Sequence, residues 1–162
     1  MRGIPEDRLR TAERRLRARQ TALEDARTAW AEAVDDATSL TGPLANTDGG
    51  SRGGRISDRT ARGADRLAAA RERLETVQAW EAVFTRVERD FPPDSPEGKV
   101  MALCLVAFRK EGETWAAPVM TLADLARAEG VDRQTIARRK EIILDRVAYF
   151  AAEAGLMGDD HP

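Results

Sequence analysis

Arg133, Gln134 and Arg138 lie close together in the stretch "TLADLARAEGVDRQTIARRKEIILDRV", which begins at Thr121. Their side-chain types can read duplex DNA. An arginine fork grips guanine O6 and N7, and a glutamine amide pairs with adenine N6 and N7. Ala137 is short enough to let a helix approach a groove closely, and Lys140 adds a further cation for contact with DNA. Ile136, Ile143 and Val147 recur at steps of about two helical turns and should face inward. Gln134, Arg138 and Glu141 then point outward, flanked by Arg133 and Ala137. Glu141 and Asp145 oppose an indiscriminate grip on phosphate, but they suit a reader that discriminates sequence.

These side chains need two helices and a turn to hold them. Thr121 with Asp124 three residues later forms a capping-box start, with Asp in place of the usual Glu. Leu122, Leu125 and Ala126 give the first helix its apolar face. Gly130 falls where the chain must turn with positive φ, and Val131 should plug the angle between the helices. Asp132 is a good N-cap for the second helix, whose N-terminus suits a phosphate. A plain helical hairpin, in which the pair only packs, is the competing reading.

The chain has 162 residues, 42% apolar and 33% charged, with only 5% aromatic, and Ala, Leu, Arg and Glu dominate. This composition leans towards long helices in a soluble protein with a charged surface. No run approaches a membrane span, no signal peptide precedes the first charged helix, and a lone cysteine, Cys104, fits a reducing compartment. The expectation is a cytoplasmic protein with no membrane partner. The net charge of −2 does not by itself announce a nucleic-acid binder, so its distribution matters more. Residues 1–20 carry seven Arg against three acids, residues 21–40 one Arg against five acids, and residues 51–71 six Arg against two. Lysine occurs only at Lys99, Lys110 and Lys140, an Arg bias that a GC-rich genome produces as readily as selection for phosphate contacts.

From Glu6 to about Ser39 nothing breaks a helix, and Pro5 suits its first turn. Leu9, Leu16, Leu23, Trp30 and Ala37 recur every seven residues, with Ala12, Ala26 and Ala33 three positions later, and Arg19 interrupts that second series. Such a heptad seam, on a helix of ~50 Å, needs a partner helix. The partner starts near Ser57 or Asp58 and runs to about Phe91, with Leu67, Ala70, Leu74, Val77, Trp80 or Glu81, Phe84 and Val87 in the same rhythm. Antiparallel pairing sets the basic 1–20 end against residues 72–90, which carry five acids and three Arg, and the acidic 21–40 end against residues 60–71, which carry three Arg and one acid. Between the helices lies a Gly-rich loop at about 41–57, whose Arg52 and Arg55 are candidate secondary phosphate contacts as well as plain linker residues.

"DFPPDSPEGK" marks a boundary near residues 91–98. "VMALCLVAF" reads as a helix buried all round, with Cys104 a small core residue, followed by the polar loop "RKEGETWAAPVM". The expected fold is all-α: a long antiparallel, coiled-coil-like hairpin over 1–91, a helix-turn-helix unit over 92–156, and a flexible tail over 157–162.

Thr121–Leu122, Leu125–Ala126, Gly130–Val131, Ile136, Arg139 and Leu144 resemble the helix-turn-helix of sigma-factor region 4. The whole arrangement, with its "GGRIS" loop, is similar to phage late-gene transcription activators of the RinA/ArpU type. The resemblance implies double-stranded DNA and host RNA polymerase as partners. It puts Arg133, Gln134 and Arg138 at base- and backbone-contacting positions, and Thr121 where the first helix meets a phosphate. "PEGKVMALCLVAF" departs from region 4, so promoter specificity does not carry over. Catalysis is not expected. The single histidine, His161, lies in the tail, no Ser/His or Cys/His pair can be assembled, and no phosphate-cradling glycine loop follows a strand. No cofactor or metal is implied. Two further readings stay open, a coiled-coil adaptor and a phage small-terminase-like DNA-packaging subunit, and the hairpin allows a monomer or a homodimer.

Overall fold

The computed structural model describes residues 4–39 and 57–158. Its elements are α1 (Glu6–Arg17), α2 (Arg19–Ser39), α3 (Ser57–Asp90), α4 (Pro96–Val100), β1 (Phe108–Arg109), β2 (Ala116–Ala117), α5 (Leu122–Glu129) and α6 (Arg133–Glu153), with a π-helical turn, Met101–Leu105, continuing α4. The fold is all-α apart from the two-residue β1–β2 ribbon. None of the described helices is long and apolar enough to cross a membrane. The chain divides into two compact units, one made of Leu23–Val77 and the other of Met1–Ala22 with Gln78–Pro162. The division falls inside α2 and α3, so the expected boundary near 91–98 lies within a single unit.

In the larger unit α1 begins after Pro5 and carries Glu6 and Asp7 in its first turn and Arg14, Arg15 and Arg17 in its last. That order places each charge at the helix end whose partial charge attracts it. The sequence predicts one helix from Glu6 to Ser39, but the structure interrupts it at Ala18. There the Arg17 carbonyl accepts a hydrogen bond from the Ala107 N–H at 3.1 Å. A carbonyl recruited by a neighbouring segment is a sufficient cause for a break in the helical ladder. Beyond the break, Arg19 enters the seam and hydrogen-bonds Glu81 (Nε to Oε2, 3.0 Å) and Glu88. Its guanidinium also lies 5.5 Å from the Phe84 ring centre. Burial by itself would lower the Arg19 pKa, but the hydrogen bonds and charges of Glu81 and Glu88 outweigh it and raise the value. Trp80, rather than Glu81, occupies the core position, and its ring packs 5.8 Å from that of Phe84.

The turn after α3 depends on close backbone approach. Ser95 caps α4 by accepting from the Gly98 N–H, and its hydroxyl donates to the Pro92 carbonyl at 2.7 Å. A Cβ on Gly98 would lie 2.0 Å from that carbonyl oxygen, so only glycine fits. The segment "VMALCLVAF" is buried as expected through Met101, Cys104, Leu105, Val106 and Ala107, but its helix ends at Leu105. Val106 is extended, and the Ala107 N–H thereby reaches α1. The expected polar loop is a β-hairpin instead: Phe108 pairs with Ala117 and Arg109 with Ala116, antiparallel, and Gly112 sits in its connection at φ 82°. Leu16, Phe84, Val87, Val100, Ile136, Ile143 and Val147 are the largest fully buried side chains. At the far end of α6, Gly155 at φ 70° lets the Leu156 N–H bond the Ala151 carbonyl, and Met157 returns to the core. The ordered core therefore reaches into the stretch expected to be tail.

In the unit Leu23–Val77, α2 and α3 pair through the heptad positions. Among the described residues of this unit Ala26, Ala33 and Ala70 are buried, while Leu23, Trp30, Leu67, Leu74 and Val77 are half-buried. Asp36 faces Arg66 at 3.7 Å, which is the opposed-charge pairing the sequence predicts.

Candidate nucleic-acid interface

The helix-turn-helix is fixed by three local devices. Thr121 caps α5 by accepting the Asp124 N–H at 3.1 Å, while its own N–H donates to the Asp124 carboxylate at 3.3 Å, completing the capping box. Gly130 adopts φ 67°, and the Val131 N–H bonds the Ala126 carbonyl, closing α5 with a Schellman motif. Val131 packs against the core and sets the angle between the helices. Asp132 caps α6 by accepting the Thr135 N–H at 2.7 Å. The hydrogen bond from Thr121 holds the Asp124 carboxyl below its ordinary range, and the backbone hydrogen bond from Thr135 does the same for Asp132.

These devices revise two expectations for phosphate. The N-terminus of α6 already carries its own anion in Asp132, so a phosphate there would meet a carboxylate. The Thr121 hydroxyl is likewise engaged, since it donates to the Asp124 carboxylate at 2.7 Å. A phosphate contact by Thr121 would have to replace that bond.

Ile136, Ile143 and Val147 are fully buried, and Gln134, Arg138 and Glu141 are exposed, as the periodicity requires. Arg133 is exposed on the first turn of α6, and Ala137 is half-buried beside it. Among the described residues neither Arg133 nor Gln134 has a side-chain partner, and Arg138 meets only the through-space attraction of Asp132. Lys140 differs from the expectation. Its ammonium binds Glu13 of α1 at 2.6 Å and is only partly exposed, so it braces α6 against α1 instead of standing free. Arg139 is similarly committed to Glu129 at 2.6 Å, with Lys99 on the same carboxylate at 3.4 Å. The hydrogen bond from Arg139 is the main reason the Glu129 carboxyl lies below its ordinary range. Arg52, Arg55 and His161 lie outside the described residues.

The bracing pairs escape a reading of the sequence. Glu13 and Lys140 are far apart in the chain, and no local pattern marks either as the other's partner. Cys104 is free and buried, and burial, then the nearby Asp124 charge, raises its thiol pKa. No protein-family model matches the chain, and no curated protein or solved structure matches it.

Proposed function

We propose that this chain is a sequence-specific, double-stranded-DNA-binding transcription regulator that lays α6 in the major groove. The observation that carries the reading is the contrast among the cations of the helix-turn-helix. Arg139 and Lys140 are tied into braces, whereas Arg133 and Arg138, with the neutral Gln134 beside them, are exposed and have no hydrogen-bonded side-chain partner among the described residues, over the first two turns of a capped helix. That is where a recognition helix needs its donors. The resemblance to phage late-gene activators extends the proposal to a phage or prophage regulator that acts with host RNA polymerase. The adaptor reading has one observation in its favour, since Glu141 and Asp145 continue the same exposed face with acid.

An in vitro selection from a random duplex library at moderate salt tests the proposal. An enriched motif is expected, and a repeat spaced by whole helical turns would reveal a symmetric bound form. Arg138→Ala or Arg133→Ala should then relax one position of that motif and cost about 1–3 kcal/mol. If nothing is enriched above a mock selection, α6 serves packing and the adaptor reading replaces this one.

A further inference from the structure

Arg10, Arg14 and Arg17 follow i, i+4, i+7 spacing and so share one face of α1. They line one side of an open groove of about 490 Å³. The opposite wall is the β-ribbon, represented by Ala107 and Ala116, whose small side chains leave the groove unfilled. Strand alternation puts Arg109, the cross-strand neighbour of Ala116, on the same side of the ribbon. The acid in this groove is Glu13, and Lys140 already neutralises it at 2.6 Å. Arg14 and Arg17 are exposed and have no side-chain partner among the described residues. Arg10 holds Glu6 in an exposed pair of the kind that contributes little and is readily replaced.

We infer that this groove between α1 and the ribbon seats the phosphate backbone of one DNA strand flanking the bases read by α6. The inference rests on the DNA-binding reading above and adds a second contact surface to it. Its occupant follows from charge and shape. Seven residues of α1 span ~10 Å, so the three guanidiniums form a line, which suits a row of phosphates at ~3.4 Å of axis per strand better than a single compact anion. The groove is also continuous with the helix-turn-helix. A second hollow of about 430 Å³ shares Glu13 and Arg17 with it and reaches Thr121 and Lys140. Lys140, Ala137 and Arg133 share one face of α6 by the same i, i+4, i+7 rule. The middle of that route is close to neutral, because Lys140 is paired with Glu13 and Asp124 also lines the second hollow. A strand leaving Arg133 therefore regains cationic contact at Arg17, Arg14 and Arg10.

The test uses the full chain and equilibrium binding across a salt series. Two duplexes are compared, the selected motif alone and the motif with about ten flanking base pairs on each side. Arg14→Ala/Arg17→Ala should weaken binding to the flanked duplex on the order of tenfold and flatten the log–log salt slope by about 1.8, at roughly 0.9 per lost phosphate contact. A scrambled flanked duplex should lose the same factor, the trimmed duplex should lose little, and the preferred motif should not change. Arg14→Lys/Arg17→Lys should keep a near-native slope. If the lysine pair loses as much as the alanine pair, the loss comes from the fold and the inference is overturned. Unchanged affinity and slope in the alanine pair, while Arg138→Ala still relaxes the motif, would overturn the groove and leave the DNA-binding reading standing. If the native chain binds no duplex even at low salt, both fall, and an acidic protein surface becomes the occupant to test.

Discussion

The unit Leu23–Val77 and the unit formed by residues 1–22 and 78–162 share the helices α2 and α3, which run from one into the other, yet they bury different things. The first closes on Ala26, Ala33 and Ala70, with its leucines and Trp30 half-exposed. The second buries Phe84, Trp80, Leu16, Val87 and four large aliphatic side chains of α6, Ile136, Ile143, Leu144 and Val147. Hydrophobic stabilisation scales with the apolar area removed from water, so an alanine seam yields far less per residue than an aromatic and aliphatic core. The same heptad rhythm therefore supports two levels of stability. The helix-turn-helix belongs to the firmer unit, where α1 and the end of α3 complete its core. The short α5–α6 motif is thus held by a helix that begins more than a hundred residues earlier in the chain.

The sharpest way to break this comparison is a pair of truncations within α3. Phe84→Ala should cost about 3–5 kcal/mol in chemical denaturation, as removal of a fully buried aromatic does. Leu74→Ala, at a half-buried position in the other unit, should cost about 1 kcal/mol. Equal losses would show that the two units do not differ as their burial indicates. A smaller effect is expected at Arg19, which puts charge into the seam where the rhythm calls for an apolar residue. Arg19→Ala leaves Glu81 and Glu88 facing each other without their cation, but both carboxylates are partly solvated, with Glu88 at 44% exposure. The expected cost is therefore about 1–2 kcal/mol, well short of that for a sealed ion pair.

Acid should affect the larger unit selectively, and this is the smallest of the three effects. Asp124, Asp132 and Glu129 all have folded pKa values below their ordinary ones. Their contribution is complete above the unfolded carboxyl values near ~4 and is lost as pH falls through the depressed folded values. Hydrogen-exchange protection around α5 and α6, taken relative to the intrinsic amide rate at each pH, should therefore fall from about pH 4 downward. Glu129→Gln should flatten that dependence, and an unchanged profile would mean that the braces carry no linkage.

Much of the helix-turn-helix was legible because its instructions are local. Thr121 with Asp124, Gly130 at φ 67°, and Asp132 with Thr135 act within a few residues of each other, and each residue type has a distinct backbone chemistry. The inward set of Ile136, Ile143 and Val147 follows from helical periodicity alone. The ribbon was not legible, because two-residue strands are too short to show alternation and "KEGET" reads as a polar loop. Nor was the break at Ala18, since nothing about an alanine there opposes a helix. The break coincides with the hydrogen bond from the Ala107 N–H, which only the folded chain brings to Arg17.

The sequence by itself determined the helical class, the antiparallel sense of the hairpin, the caps of α5 and α6, and which face of α6 is turned outward, because propensity, capping and periodicity act between near neighbours. Only the tertiary structure decided which cations are spent on bracing and which stay free. Lys140 is held by Glu13 and Arg139 by Glu129, while Arg14 and Arg17 line an open groove. A charge is neutralised by whatever the fold brings within about 4 Å of it, and that distance is not written in the order of the residues.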